Sequence, residues 1–251
     1  MKTYSTSQLA RLAGIHPNTV RLYEKLELIT KAPRKQNGYR VFTELQLTQC
    51  TALRLAFSVE ILQNGLRKKI IEVLRAFAAK DFDTALFLTG EYTAKIRLEQ
   101  KNALEAVEIT GQILSGTLPS GTAAAENRIQ AAKELGITAD TLRNWERNGL
   151  LYPTGRQKGR RSYGQGDMQK LKIIRALRCA NYSLQSILRL MSSLSKNTGA
   201  DVAKTLNTPS ANEDIISACD RLLVSLDAAL KNALKIQEIL RDGKEKFSTE
   251  Q

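Results

Sequence analysis

Residues Gln8–Glu24 read Gln-Leu-Ala-Arg-Leu-Ala-Gly-Ile-His-Pro-Asn-Thr-Val-Arg-Leu-Tyr-Glu. The chain writes the pattern again at Gln130–Glu146, as Gln-Ala-Ala-Lys-Glu-Leu-Gly-Ile-Thr-Ala-Asp-Thr-Leu-Arg-Asn-Trp-Glu. Gly14 aligns with Gly136, Arg21 with Arg143, Tyr23 with Trp145 and Glu24 with Glu146, all at an offset of 122 residues. An ungapped internal repeat fixes the architecture before any single element is assigned.

Each copy has the anatomy of a helix-turn-helix. Ser5 followed by Gln8 is a capping box, and Leu9, Leu12 and Ala13 recur at helical spacing as one apolar stripe. Gly14 ends that helix, because it tolerates the left-handed conformation of a C-cap. His16-Pro17-Asn18 restarts the chain, with Pro17 at a first helical position that needs no N–H. The second helix buries Val20 and turns Asn18 and Arg21 outward. In the second copy Thr138 caps and Leu142 is buried, while Asp140, Arg143 and Asn144 face out. Two short helices crossed at a glycine turn present the second one to a DNA major groove.

Outward from each head comes a turn. Asn37-Gly38 signals a two-residue hairpin, with Tyr39, Val41 and Phe42 suited to a short strand. The counterpart, Tyr152–Tyr163, has Gly159 in its turn and the cations Arg156, Lys158, Arg160 and Arg161. Each such wing leads into a helix pair, expected at Glu44–Gln63 with 66–80 and at Gly166–Ala180 with 183–194. Asn64-Gly65 and Asn181-Tyr182 form the turns. A long helix follows in each half. Phe82–Leu114 places Ala85, Leu88, Tyr92, Ile96, Ala103, Val107 and Leu114 on one face, interrupted by Glu99 and Gln100. Asp214–Arg241 shows a heptad, with Ile216, Leu223, Leu230 and Gln237 in one register and Cys219, Leu226, Ala233 and Leu240 in the other.

The expected division is therefore 1–80 for the first winged domain, 81–116 for its long helix, 117–125 for a linker of Gly, Pro, Ser and Thr, 126–195 for the second winged domain and 210–243 for its long helix. The net charge of +13 follows this division. Residues 1–64 carry +5 and 126–198 carry +9, against +1 for 65–125 and −2 for 199–251. Two cationic heads on nearly neutral supports are the footprint of polyanion binding. Three widely spaced cysteines, Cys50, Cys179 and Cys219, imply no disulfide framework. With neither a signal-peptide core nor a membrane-length apolar run, a cytoplasmic, nucleoid-associated protein is expected.

This order resembles the MerR family of bacterial transcription regulators. The marks are Thr19-Val-Arg-Leu-Tyr-Glu24 with Asn37-Gly-Tyr-Arg40, and Thr141-Leu-Arg-Asn-Trp-Glu146 with Gly159-Arg-Arg161. The likeness spans about residues 3–116 and 126–243 in architecture and is sharp in sequence only over the heads. It implies a mainly α fold of two winged helix-turn-helix domains, whose long helices pair as an antiparallel coiled coil. Family members carry one head per chain and dimerise through that coiled coil. Two heads in one chain imply a monomer with an internal pseudo-two-fold, a homodimer being the alternative. A linker of about ten residues, reaching at most roughly 35 Å, suffices to join the halves.

The resemblance also assigns residues. Arg21 and Arg143 take the groove-facing position, where a guanidinium fork fits guanine O6 and N7; the alternative is a surface pair with Glu24 or Glu146. Asn18 and Asn144 join them as base-contact candidates, and Asp140 is a weaker one. His16, Thr19, Tyr23, Tyr39 and Arg40 are phosphate candidates, as are Thr141, Trp145, Lys158, Arg160 and Arg161. For Tyr23 and Trp145 core packing is an equal alternative. Leu22 and Asn144 depart from the family's usual aromatic after the arginine, and Arg160 replaces a wing tyrosine. The implied function is sequence-specific regulation on double-stranded DNA with unlike half-sites, distorting a promoter for RNA polymerase. A recombination-accessory DNA binder of a mobile element is the alternative.

No Cys–His or Ser–His pairing, phosphate-binding Gly loop or ligand cluster appears, so no enzyme, catalytic residue, metal or cofactor is expected. Cys219 reads as a small seam residue. Only Asp242–Gln251 follows the second long helix, without Cys or His, so no effector domain is expected.

Overall fold

The computed structural model describes residues 2–59, 62–117, 125–153, 155–157, 159–196 and 211–247. The chain runs α1 (Thr6–Ala13), α2 (Pro17–Lys25), α3 (Glu44–Phe57), α4 (Leu66–Ala78) and the long α5 (Phe82–Ser115). It continues as β1 (Glu126–Asn127), α6 (Arg128–Glu134), α7 (Ala139–Arg147), β2 (Gly155–Gln157) and β3 (Arg160–Tyr163). Then come α8 (Gln165–Cys179), α9 (Leu184–Lys196) and the long α10 (Ala211–Phe247). The fold is mainly α. The linker 117–125 falls largely outside the described residues.

Local signals set the short helices. Ser5 Oγ accepts from Gln8 N at 3.3 Å and Gln8 Oε1 from Ser5 N at 2.8 Å, so each satisfies a donor that the helix leaves free. Asn127 and Gln130 repeat the box before α6. Gly14 stands at φ 67°, and Pro17 opens α2 behind an N-cap made by His16 Nδ1, which accepts from Asn18 N at 3.2 Å. Leu9, Ala10 and Ala13 are buried, but Leu12 is 54% exposed, so the expected stripe on α1 shifts to Ala10. α3 stops at Phe57, six residues short of the expectation, where Ser58 Oγ turns back to donate to Leu55 O.

The wings differ by one residue. In the first, Lys35 N donates to Tyr39 O and Gly38 N to Lys35 O, both at 2.9 Å. Gly38 is left-handed at φ 81°, while Asn37 is not among the positive-φ residues. This is a three-residue loop ending in a left-handed glycine, not the expected two-residue turn, which needs φ > 0 at both positions. In the second wing Gln157 pairs with Arg160, leaving two residues between the strands. The isolated bridges Tyr4↔Phe42 and Arg34↔Arg40 of the first head match the register pairs Glu126↔Tyr163 and Arg156↔Arg161 of the second.

The chain forms two compact units, Met1–Arg97 with Ser225–Gln251, and Leu98–Val224, so the division falls inside both long helices. In the first unit the end of α10 lies on the start of α5 and on α3. Lys244 Nζ meets Asp83 Oδ1 at 2.5 Å, and Asn232 Nδ2 donates to Leu55 O and Ser58 Oγ at 3.0 Å. In the second unit Ala106, Ile109 and Ile113 of α5 share one core with Ile215, Ala218 and Cys219 of α10 and with Trp145, Leu171 and Ile174 of the second head.

The buried face of α5 is Ala85, Thr89, Tyr92, Ile96, Glu99, Ala103, Ala106, Thr110 and Ile113, an unbroken alternation of four and three residues. Glu99 thus belongs to the seam and does not interrupt it, whereas Leu114 is 42% exposed. On α10 the register of Cys219, Leu226, Ala233 and Leu240 is buried as expected. Its companion is Ile215, Leu222, Ala229 and Ile236, one residue ahead of the expected Ile216, Leu223, Leu230 and Gln237, which flank the seam half-buried.

Glu99 is accommodated in the core by Arg175 of α8, which meets it with two parallel bonds of 2.8 Å. Arg175 Nε also donates to Leu135 O, at the end of α6, at 2.5 Å. Removing one partner strands a buried charge, a loss of about 3–5 kcal/mol. Glu99→Ala is expected to lower the urea midpoint accordingly, more than Lys172→Ala at the half-exposed pairs with Glu105 and Glu134; equal effects would contradict the buried-pair account.

Candidate nucleic-acid interface

Within α2, burial of Val20 and Tyr23 forces Asn18, Arg21, Leu22 and Lys25 to the outside, and all four are exposed. In α7 Leu142, Trp145 and Glu146 are buried, which exposes Asp140, Arg143, Asn144 and Arg147 at the equivalent places. Arg21 Nη1 donates to Asn18 Oδ1 at 2.9 Å, and Arg143 Nη1 lies 3.5 Å from Asp140 Oδ1. The rival pairing of these arginines with Glu24 and Glu146 does not occur, because both carboxylates turn toward the wing.

Glu24 accepts from Arg40 Nε at 2.5 Å and from Ala32 N at 3.1 Å. Glu146, its side chain only 2% exposed, takes Arg161 at 2.7 Å, Arg128 at 3.0 Å and the Tyr163 hydroxyl. Each carboxylate therefore ties the end of the outward helix to the wing beside it. A buried carboxylate is tolerated only with such compensation.

The candidates from the sequence separate accordingly. His16, Tyr39, Arg160 and Arg161 are exposed, Tyr39 by 72%. Thr19 and Thr141 are half-buried, and Thr141 N is engaged by the Thr138 cap at 3.1 Å. Arg40 is half-buried and held by Glu24. Tyr23 and Trp145 are buried, at 8% and 3% exposure, as the core-packing alternative expects. The Tyr23 ring sits 6.0 Å from that of Phe57. Lys158 lies outside the described residues.

Sequence reasoning missed part of this surface. Lys25 and Arg147 follow the groove arginines by one helical turn and share the 122-residue offset, a signal open to reading. Arg34 shares that offset with Arg156, but Lys31 and Arg75 carry no such mark. All three meet Arg21, Lys25 and Arg40 around a groove of about 810 Å³, where Glu24 and Glu27 are the acidic lining residues. Thr30 and Gln49 bring α4 to this place: Thr30 Oγ1 donates to Ala78 O at 2.6 Å, and Gln49 Nε2 to Phe77 O at 3.0 Å.

Two family models match the chain, the MerR family regulatory protein over residues 5–42 and the MerR HTH family regulatory protein over residues 129–194. The chain carries two separate stretches similar to the MerR family, each spanning less than half of its length. It holds two tandem helix-turn-helix regions of that type. The curated relatives include a probable heavy metal-dependent transcriptional regulator of Haemophilus influenzae, 36% identical over 66 residues. That match covers 26% of this chain and 52% of the relative. The HTH-type transcriptional regulator AdhR of Bacillus subtilis is 38% identical over 63 residues, covering 25% and 45%, and ZntR of Escherichia coli 32% over 71 residues, covering 27% and 50%. The chain thus spans about half the length of these relatives. No solved structure gives a significant match.

Among the described residues, no three His, Cys, Asp or Glu side chains converge on a possible metal position. Burial pushes the Cys50 thiol up to about 12 and that of Cys219 to about 11, so both stay protonated at neutral pH. Among the described residues no helix is long and apolar enough to cross a membrane.

Burial and then the Glu146 bond push the Tyr163 hydroxyl up to about 12. Since the folded state favours the neutral phenol, its contribution is complete below the ordinary value of 10.0 and is lost as pH rises toward 12. Urea midpoints are expected to fall across that window and to fall less steeply in Tyr163→Phe. An unchanged slope would remove Tyr163 as a source.

Proposed function

We propose that this chain is a sequence-specific, double-stranded DNA-binding transcription regulator that works as a single-chain pseudo-dimer. The observation that carries the reading is the pair of equivalent outward stripes, each with a groove-sized arginine beside a cationic wing. Arg21 and Arg143 read guanine edges, with Asn18 and Asn144 on neighbouring bases. His16, Tyr39, Arg160 and Arg161 hold phosphates and set the register, joined by Lys25 and Arg147. Support for the pseudo-dimer comes from the units: the start of one long helix shares a unit with the end of the other, as an antiparallel coiled coil within one chain requires. Half-sites read from one face of a duplex lie about 34–36 Å apart, or a multiple of that. The protein then bends and untwists a promoter so that RNA polymerase engages both of its elements, in the cytoplasm at the nucleoid. No metal or cofactor enters this reading.

Three outcomes test it. Duplex sites selected from random DNA should be bound with an affinity that falls with salt by a slope of about −0.9 per phosphate contact. Arg143→Ala should relax base preference in one half-site by about 1–3 kcal/mol, whereas Arg160→Ala with Arg161→Ala should weaken all sequences alike and flatten the salt slope. Sedimentation without DNA should give one chain of 27.9 kDa, and a stable dimer would overturn the intramolecular pairing.

A further inference from the structure

The two outward helices are equivalent in placement and opposite in chemistry at two positions. Leu22 and Leu26 of the first head, one helical turn apart, are 49% and 48% exposed beside Arg21 and Lys25. At the 122-residue offset the second head carries Asn144 and Asn148. Asn148 Nδ2 donates to both the Asn144 carbonyl at 2.8 Å and Asn144 Oδ1 at 3.0 Å. These bonds hold the Asn144 amide in one orientation, with its Nδ2 still available as a donor and Oδ1 keeping a second lone pair.

Leu22 and Leu26, left in water, gain nothing from the fold itself; the cations beside them in the chain, Arg21 and Lys25, line a groove with Lys31, Arg34 and Arg40 and with Glu24 and Glu27. A polyanion drawn in by those cations must bring an apolar group to cover the leucines. In a duplex major groove that group is the thymine C5-methyl, while an oriented amide matches adenine N6 and N7. We infer that Leu22, supported by Leu26, reads a thymine methyl in one half-site, and that Asn144, held by Asn148, reads an adenine in the other. The inference rests on the DNA-binding reading above and adds the base class that each head selects.

The test uses the full chain and a duplex selected from random DNA. Each thymine is replaced singly by uracil, which lacks the methyl, and each adenine by 7-deazaadenine, which lacks the N7 acceptor. One uracil in the first half-site should weaken the wild type by about four-fold, the worth of one buried carbon, and leave Leu22→Ala unaffected. One 7-deazaadenine in the second half-site should cost about ten-fold, and should cost Asn144→Ala nothing. Both leucine positions are half-exposed, so alanine is tolerated there; Leu22→Asn with Leu26→Asn should convert the first half-site from thymine to adenine preference. Uracil effects that are absent, or equal in wild type and Leu22→Ala, overturn the inference while leaving DNA binding intact. Failure to select any duplex overturns the function and the inference together.

Discussion

A carboxylate at the last turn of each outward helix holds each head together. Glu146 is almost fully enclosed, and the cost of enclosing its charge is offset by Arg128, Arg161 and the Tyr163 hydroxyl. Those partners come from the helix before it and from the wing strand, so satisfying one charge fixes three elements at once. Glu24 does the same in the first head with fewer partners, Arg40 and the Ala32 amide. Because the carboxylates are spent on the wing, Arg21 and Arg143 keep their guanidinium groups toward the outside. The wing is thereby held beside the outward helix of the same head.

The heads share this plan and differ in how firmly their parts are held. In the second unit Arg175 spans from the carbonyl that ends α6 to Glu99 of α5, a charged tie running from the helix-turn-helix into the long helix. Arg54 stands 121 residues earlier, at the place equivalent to Arg175, and is exposed over Gly14. The contrast between Leu22 with Leu26 and Asn144 with Asn148 is of the same kind. One architecture written twice keeps its backbone plan and differs in side chains at equivalent positions.

The seam of α5 explains how polar residues survive along a packed helix. Thr89 donates to Ala85 O and Thr110 to Ala106 O, each at 2.7 Å, so both hydroxyls are satisfied within their own helix. Glu99 is met by Arg175 from another helix. Read by hydrophobicity alone the helix loses its period at these three positions. Read by burial it keeps the period throughout.

What the amino-acid sequence determined by itself is whatever depends on neighbours a few residues apart. The repeat, the two helix-turn-helix units, the Ser5–Gln8 and Thr138 caps, Pro17 at the start of α2 and the left-handed Gly14 all follow from local hydrogen bonding and steric rules. Arg21 and Arg143 were legible as outward residues because Val20 and Leu142 declare the opposite face. Tertiary structure decided what local chemistry leaves equal. Trp145 and Tyr23 suited core and surface alike until α3 and α8 closed over them, and Glu24 and Glu146 had arginines to choose from on two sides. The α10 register moved by one residue because the seam is chosen by what packs against it, which admits Ala229 and leaves Leu230 at the flank. Arg75 lines the basic groove from α4, whose end Thr30 and Gln49 bond at Ala78 O and Phe77 O across segments far apart in the chain. Such choices turn on long-range desolvation and charge pairing, and no short stretch of sequence contains both partners.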